Sequence, residues 1–249
     1  MSARDSLCAF DAGPSFPDAL PGQFVHVRTP ADAALRRPFS VAAVTGPGRF
    51  ELLVRRRGAG TSALLALPPG SEVPVLGPSG NGFSLPRAAE TAVLLAGGIG
   101  AAGLRLLART LAERGAPQLI LLGAPTAGEL LDGVMPAPTA DGAVRVEVAT
   151  DDGSRGLRGT ARDLLNRRLP SVAGARLYCC GPRAMLMAAA RLAGDVGVRC
   201  ELLMEEVMAC GVGACRGCVV PTLNGYRAAC TDGPVFDADD LVLDLEAHG

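Results

Sequence analysis

The sequence predicts a multidomain α+β protein, in which an antiparallel β-barrel is followed by a parallel α/β domain and a small C-terminal domain. In the first part, short alternating apolar runs are separated by proline and glycine, as in antiparallel strands. In the second part, apolar runs alternate with helical stretches, which is typical of a parallel sheet. The third part is short, rich in glycine and holds four of the eight cysteines. We place the domains at residues 1–86, 87–199 and 200–249.

Each domain has its own predicted elements. In the first domain, strands are predicted at residues 23–29, 37–44, 49–57 and 71–77, and a short helix at 61–67. The opening stretch LCAFDAGPSFPDAL is a poor strand, so the first strand of the barrel is expected to be truncated or replaced. In the second domain, strands are predicted at 92–98, 118–124, 144–150 and 175–181, and helices at 102–114, 126–134, 159–169 and 182–194. Such an alternation predicts a parallel sheet covered on both faces.

Composition excludes several classes of function. The net charge of −1 gives no reason to expect nucleic acid or an anionic membrane as a partner. The N-terminus lacks the pattern of a secretory signal, and the longest uncharged apolar stretch is shorter than the roughly 20 residues of a membrane span. We therefore expect a cytosolic protein, in which cysteines stay reduced.

The cysteines of the third domain have the spacing C-x4-C-x2-C-x11-C, formed by Cys210, Cys215, Cys218 and Cys230. A disulfide, a zinc site and an iron–sulfur cluster are the three interpretations. Zinc sites usually contain two C-x2-C pairs or Cys/His pairs, whereas C-x4-C-x2-C with a distant fourth cysteine is the spacing of plant-type [2Fe–2S] clusters. The intervening glycines allow a tight loop whose backbone N–H groups approach the sulfur atoms. The spacing favours the [2Fe–2S] cluster over zinc, and zinc over a disulfide.

The segment MEEVMACGVGACRGCVV around these cysteines resembles the cluster loop of the electron-transfer subunit of class 1B dihydroorotate dehydrogenase, within the ferredoxin–NADP reductase superfamily. Glu205, Met208 and the cysteines from Cys210 to Cys218 fit the family pattern. Val207 departs from it, because the family usually has arginine there. We expect this change to affect packing or partner contact and not ligation.

The resemblance implies an FAD site in the first domain. Residues Arg37, Pro38, Phe39 and Ser40 match the superfamily motif R-x-[FY]-S, in which arginine and serine can bind a diphosphate beside an aromatic ring. The second flavin strand is matched by Leu53, Val54 and Arg55. Gly60 and Thr61 resemble the turn that opens a phosphate-binding helix. The alternatives are a chance motif on an exposed strand and a solvated strand end at residues 55–57.

A Rossmann-like nucleotide site is predicted in the second domain. Gly97, Gly98 and Gly100 follow an apolar strand and open a helix, as a dinucleotide loop requires. Ala96 and Gly103 depart from the superfamily pattern. The resemblance adds five further matching positions in VATDDGSRG and YCCGPRAML: Thr150, Asp152, Cys180, Gly181 and Pro182. For Cys180 the alternative is a buried core thiol. Acidic Glu129 and Asp132 favour NAD over NADP.

The resemblance implies an electron-transfer subunit of pyrimidine biosynthesis that uses NAD(H), FAD and a [2Fe–2S] cluster. Its partner would be the FMN-containing dihydroorotate dehydrogenase subunit, in a heterotetramer. No residue of the chain suggests a catalytic base for dihydroorotate, and His26 is interpreted as an architectural core residue. Two alternatives stay open. One is an NAD(P)H reductase subunit for another acceptor, such as a sulfur-reducing or ferredoxin-linked complex. The other is a non-catalytic iron–sulfur or zinc interaction module.

Overall fold

The chain forms three sheets in the computed structural model, which describes residues 4–30 and 36–243. The first five strands make one antiparallel sheet, seven later strands make a second sheet, and two strands make a separate hairpin. Among the described residues, no helix has the length and apolar character needed to cross a membrane.

The first sheet and its helix match the elements predicted for the N-terminal part. They are β1 (Asp5–Asp11), β2 (Phe24–Arg28), β3 (Arg36–Gly46), β4 (Arg49–Arg55), α1 (Ala59–Leu65) and β5 (Val75–Ser79). The strand order is β1-β4-β3-β2-β5, and every pairing is antiparallel. Val25, Val27, Leu52 and Val54 are fully buried between these elements. A period of two along each strand brings such side chains to one face, which is why the alternating runs form this core.

The expectation that the first strand is truncated or replaced is wrong. β1 pairs with β4 over seven residues, from Asp5 opposite Arg55 to Asp11 opposite Arg49. Both terminal pairs carry ion pairs, with Nε–carboxylate distances of 2.7 Å at Asp5–Arg55 and 3.0 Å at Asp11–Arg49. Charged residues at both ends make β1 a poor strand by composition, yet they become cross-strand partners once β4 is beside them.

The second sheet contains the parallel strands predicted for the nucleotide domain. The remaining elements are β6 (Thr91–Gly97), α2 (Ala101–Glu113), β7 (Gln118–Ala124), β8 (Val144–Thr150), β9 (Leu157–Arg158), α3 (Ala161–Arg168), β10 (Ala175–Cys180), α4 (Arg183–Asp195), β11 (Arg199–Leu203), β12 (Val219–Thr222), β13 (Gly225–Ala228) and β14 (Val235–Asp237). The order is β14-β11-β10-β6-β7-β8-β9, parallel except for β14. One core packs against α2, and the other against α3 and α4.

The helix predicted at residues 126–134 is not formed. The structure has two 3-10 turns there, Ala127–Glu129 and Asp132–Val134. The segment is flanked by prolines at 125 and 136 and contains Gly128 and Gly133, which disfavour a continuous helix. Leu130 and Leu131 are buried in spite of this, so the hydrophobic pattern that suggested a helix belongs to a packed loop.

The C-terminal segment is connected to the central sheet at both ends. β11 lies inside that sheet, so the predicted boundary at 199/200 falls within a strand, and β14 returns to pair with β11. Between them lie the cysteine loop and the β12–β13 hairpin. Cys218 and Cys230 are buried in the same core as Leu202 of β11. The cysteine-bearing segment therefore packs on the edge of the central sheet.

A buried charge network links the segment between β5 and β6 to the second sheet. Arg176 of β10 bonds Glu201 of β11 at 2.7 Å and also lies 3.7 Å from Glu90. Ser84 joins both Arg176 and Glu201, and the Tyr178 hydroxyl donates to the Ser84 carbonyl at 2.9 Å. We expect Arg176→Met to lower the free energy of unfolding by about 3–5 kcal/mol, because a buried carboxylate loses its partner. Urea denaturation of the apoprotein measures this.

Arg199→Met provides the matched control. Arg199 pairs with Asp237 at 3.4 Å, but both side chains are substantially exposed. An exposed ion pair contributes about 0–1 kcal/mol. If both variants lost the same small amount, the buried network would not be a stabilising link.

Candidate cofactor cavities and cysteine loop

The cysteine loop directs backbone N–H groups at thiol sulfurs. The amides of Val212 and Cys215 donate to Cys210 Sγ at 3.5 and 3.4 Å, and the amide of Gly213 donates to Cys230 Sγ at 3.2 Å. Gly211 and Gly213 have φ of 73° and 76°, a left-handed backbone that glycine adopts readily. The loop thus has the close backbone approach that a sulfur-rich cluster requires.

The four thiols lie in two neighbouring pairs. The thiol of Cys215 is close enough to lower the pKa of Cys210, and the thiol of Cys218 close enough to raise the pKa of Cys230. All eight cysteines of the chain are free, so the disulfide interpretation has no support in the fold. Within the described ranges, no three His, Cys, Asp or Glu side chains surround one metal position. Two pairs of thiols suit a cluster of two irons, each held by two cysteines, better than one tetrahedral zinc.

The two pairs have different electrostatic surroundings. The backbone donors lower the pKa of Cys210 to about 6, whereas burial raises the pKa of Cys230 to about 11. Cys215 is exposed and Cys210 half-buried, while Cys218 and Cys230 are buried. Because metal ligation requires thiolates, binding at the buried pair releases protons. One edge of the site faces solvent and the other lies in the core.

A cavity of about 250 Å³ lies between the first sheet, α2 and the start of the cysteine segment. Six of the residues predicted to bind FAD line it: Pro38, Phe39, Ser40, Leu53, Arg55 and Thr61. The other three are outside its lining. Val54 is fully buried in the core of the first sheet. Arg37 is exposed and lies beside Gly60, since its Nε would be 3.4 Å from a Cβ built on that glycine. We call this space the flavin cavity.

Arg55 is fixed by two hydrogen bonds to the buried carboxylate of Asp5. Its Nε and Nη2 lie 2.7 and 2.9 Å from Asp5 Oδ1 and Oδ2, and this partner raises the pKa of the guanidinium. The remaining nitrogen, Nη1, faces Gly98 at the end of β6. Arg55 therefore lies where a phosphate on either side of it can be bound, with a rigid orientation that β1 supplies.

A second cavity, of about 600 Å³, opens at the carboxyl ends of β6, β7, β8 and β10. We call it the nucleotide cavity, because ligands of open parallel sheets bind at this edge. Of the residues predicted for NAD, it is lined by Gly97, Gly98, Gly181 and Pro182.

Four of the residues predicted to bind NAD do not line the nucleotide cavity: Gly100, Thr150, Asp152 and Cys180. Gly100 packs against the Cys180 carbonyl so closely that a Cβ would collide. The buried Thr150 hydroxyl bonds both backbone groups of Arg155, and Asp152 accepts from the amide and hydroxyl of Ser154. Thr150 and Asp152 therefore shape the turn that follows β8.

Cys180 is a buried thiol beside the flavin cavity. A Cβ on Gly103 would lie 2.8 Å from Cys180 Sγ and 3.5 Å from Ser40 Oγ, so both polar atoms border this glycine of α2. Burial raises the pKa of Cys180 well above its usual value, and the nearby Glu205 adds to this. Gly103 is one of the two departures from the superfamily pattern, and the space beside it is occupied by the Cys180 thiol, Leu203 and the Ser40 hydroxyl.

Several lining residues were not found from the motifs. Arg57, Ile99 and Glu205 line both cavities, and Pro125, Asp151, Thr160, Arg162 and Met185 line the nucleotide cavity. Glu205 reaches solvent through the open cavities, yet surrounding protein raises the pKa of its carboxyl. These residues could have been predicted from their place in the sequence, because most of them follow the carboxyl end of a predicted parallel strand.

Comparison with known protein families supports both parts of this arrangement. A family described as oxidoreductase FAD-binding domain matches residues 17–83. A family described as iron–sulfur cluster binding domain of dihydroorotate dehydrogenase B matches residues 205–242. The predictions of an FAD-binding domain and of an iron–sulfur domain are confirmed by these matches.

Full-length relatives extend the similarity over nearly the whole chain. The electron transfer subunit of dihydroorotate dehydrogenase B (NAD(+)) from Desulforamulus reducens is 39% identical over 94% of this chain and 90% of its own length. The same subunit from Bacillus caldolyticus is 41% identical over 90% and 87%. Among solved structures, an NADH-dependent reduced ferredoxin–NADP oxidoreductase is 28% identical, with a TM-score of 0.84 over 98% of this chain and 87% of that one. The resemblance seen in the cysteine loop is confirmed, and the chain belongs to the family of dihydroorotate dehydrogenase B (NAD(+)) electron transfer subunits.

Proposed function

We propose that the chain is a cytosolic subunit that passes electrons between NAD(H), FAD and a [2Fe–2S] cluster, and from the cluster to or from an FMN-containing dihydroorotate dehydrogenase subunit. The observation that carries the proposal is the continuity of the three sites. The nucleotide and flavin cavities share Arg55, Arg57, Ile99 and Glu205. The flavin cavity is lined at its other end by Met208, two residues before Cys210.

The cavities fit the two organic cofactors in their chemistry. FAD and NAD(H) are diphosphates, and Arg55 lies at the junction with its outer nitrogen directed to the glycine turn. Ser40 and Thr61 add hydroxyls, and Phe39 adds an apolar ring for a flat heterocycle. Bound FAD would accept a hydride and release its electrons singly, which is what an iron–sulfur cluster requires. We keep the predicted barrel form of the first sheet and the divisions 1–86, 87–199 and 200–249 as part of this proposal, with β11 crossing the last boundary.

The residues between the cavities have separate roles in the proposed reaction. Cys180 stays a neutral thiol because burial raises its pKa, and its sulfur lies behind Gly103, whereas the Ser40 hydroxyl lines the flavin cavity itself. Desolvation by the surrounding protein raises the pKa of the Glu205 carboxyl above its usual value, and Arg57 acts in the opposite direction. Gly97 and Gly181 let the backbone approach the nicotinamide side of the nucleotide. The proposed function requires none of these residues to act as a base toward dihydroorotate.

The preference for NAD is supported by the relatives' names and not by the residues first considered. Glu129 and Asp132 do not line the nucleotide cavity, and Asp132 is paired with Arg155 at 2.6 Å. Of the residues that line the nucleotide cavity alone, only Asp151 and Arg162 are charged, and their charges are opposite. NAD(H) is therefore proposed on the family, whose members carry NAD(+) in their names.

The exposed surface around the cysteines supports a protein partner. Four of the six exposed large apolar side chains among the described residues lie in this segment: Val207, Val212, Leu223 and Tyr226. Val207, where the family usually has arginine, is 86% exposed, so the change alters the surface and not the core. We propose that this region contacts the FMN subunit, in a heterotetramer, and that the exposed edge near Cys215 carries the electron exchange.

A second candidate function is a reductase for another acceptor. It is supported by the similarity to the NADH-dependent reduced ferredoxin–NADP oxidoreductase, which covers 98% of this chain. Co-purification separates the two candidates, because only the first predicts a stable complex with the FMN subunit and reduction of NAD⁺ by dihydroorotate in that complex.

An absorption spectrum of anaerobically purified protein, before and after addition of NADH, tests the proposed relay. We expect flavin bands near ~450 nm, broad iron–sulfur absorption at longer wavelength, and bleaching of both by NADH. Cys218→Ser is expected to remove the iron–sulfur absorption while flavin bleaching remains, because Cys218 is a buried ligand outside the flavin cavity. A cluster without flavin would refute the reductase function, and a colourless zinc protein would refute the cluster.

A further inference from the structure

His26 is a buried imidazole without a described hydrogen-bond partner. Its side chain has no solvent exposure, and neither Nδ1 nor Nε2 is hydrogen-bonded to any group in residues 4–30 or 36–243. Burial, with a smaller effect from Arg36, lowers its pKa, so the ring is neutral and carries one N–H donor. Buried polar groups are nearly always hydrogen-bonded, so this N–H donor is expected to have an acceptor in the cofactor-loaded protein.

The ring lies directly against the cysteine loop. A Cβ built on Gly211 would collide with Cε1 and Nδ1 of His26 and lie 3.1 Å from Nε2. Gly211 follows Cys210 immediately, so the imidazole packs on the backbone that carries this thiol. The contact also explains why the sequence places glycine, and not merely a small residue, after Cys210.

His26 also connects this loop to the flavin cavity. Its ring meets Phe24 edge to face, with centroids 5.2 Å apart. Phe24 lines the flavin cavity and belongs to the core that contains Cys218 and Cys230. His26 therefore stands beside the cysteine loop on the strand that borders the flavin cavity.

We infer that the His26 N–H donates a hydrogen bond to a sulfur atom of the cluster bound at Cys210, and that His26 is a positioning residue which raises the cluster's reduction potential. The inference rests on the proposed iron–sulfur site. A cluster bound at Cys210 would bring sulfur acceptors next to Gly211, and the thiol sulfurs of Cys210 and Cys230 already accept N–H bonds from Val212, Gly213 and Cys215. A donor to the sulfurs stabilises the reduced, more negative cluster, so its potential rises.

Magnetic coupling provides a direct test, because the chain contains only two histidines. Protein labelled with [¹⁵N]histidine is reduced with dithionite and studied by pulsed EPR of the reduced cluster. We expect a weak ¹⁵N coupling that persists in His248→Asn and disappears in His26→Gln. A reduced-cluster signal without histidine coupling would overturn the inference and leave the relay intact. Absence of the cluster signal itself would refute the iron–sulfur site and the inference together.

Potentiometry of the cluster gives the second readout. His26→Leu is expected to lower the one-electron reduction constant about three- to tenfold, which is about 30–60 mV at 59 mV per tenfold change. His26→Gln, whose amide can donate, is expected to retain most of the wild-type value. Thr29→Val removes another buried group without a described partner, beside Gly60 and away from the loop, and controls for effects transmitted through the sheet. An unchanged potential in His26→Leu would contradict the hydrogen bond.

Discussion

Arg55→Met is expected to weaken FAD binding about 10- to 100-fold, because charge-assisted hydrogen bonds to a phosphate contribute roughly 1.5–3 kcal/mol. Arg55 lines both cavities, and Asp5 holds it by two bonds in one orientation. Loss of the guanidinium removes the fixed positive charge at the junction. Fluorescence titration of the apoprotein with FAD measures the change.

Asp5 requires its own variants, since Arg55→Met removes both arginine hydrogen bonds from its buried carboxylate. Asp5→Asn/Arg55→Met removes both charges, so it is expected to recover stability but not FAD affinity. Asp5→Asn alone keeps the arginine while loosening it, and a few-fold loss of affinity is expected. Arg56→Met is the matched control, because Arg56 is exposed and lines neither cavity. If Arg55→Met bound FAD as tightly as Arg56→Met, Arg55 would not be a phosphate ligand.

The order and type of most elements could be predicted because their signals are local. Alternating apolar runs identified β2, β3 and β4, and long apolar runs identified the parallel strands β6, β7, β8 and β10. β1 was missed because its stability comes from pairing with β4, and the ion pair between Asp5 and Arg55 joins residues far apart in sequence. The hydrophobic residues at 126–134 suggested a helix. In the structure they are explained by burial of the leucines in a loop, and not by a helical period.

The residues of the candidate site also differ in whether a local sequence signal could predict them. The four cysteines are identifiable from spacing alone, since a loop around a cluster is a local structure. Residues such as Pro125, Asp151 and Arg162 belong to no motif and reach the nucleotide cavity because parallel strands end at one edge. His26 was interpreted as architectural because the sequence gives no indication that Gly211 lies against its ring. Only the tertiary structure combines the unpartnered imidazole with the cysteine loop.

Gly211→Ala is expected to prevent most cluster loading and to lower the free energy of unfolding of the apoprotein by about 3 kcal/mol, the sum of backbone strain and overpacking. At φ 73° an alanine occupies the left-handed region, and its Cβ would collide with the fully buried ring of His26. The loop must then move away from the first sheet, which displaces Cys210 from Cys215. Iron and sulfide analysis after anaerobic reconstitution, with urea denaturation of the apoprotein, measures both effects.

Gly225→Ala separates strain from collision. Gly225 has φ 94°, and a Cβ there would meet nothing within 4 Å. This variant is expected to lose about 1–2 kcal/mol of stability at most and to keep its iron. In Gly211→Ala/His26→Ala the obstructing ring is gone, so the double variant is expected to be more stable than the sum of the single effects by about 0.5–3 kcal/mol. Strict additivity, or normal iron content in Gly211→Ala, would mean that the His26 ring does not fix the position of the loop.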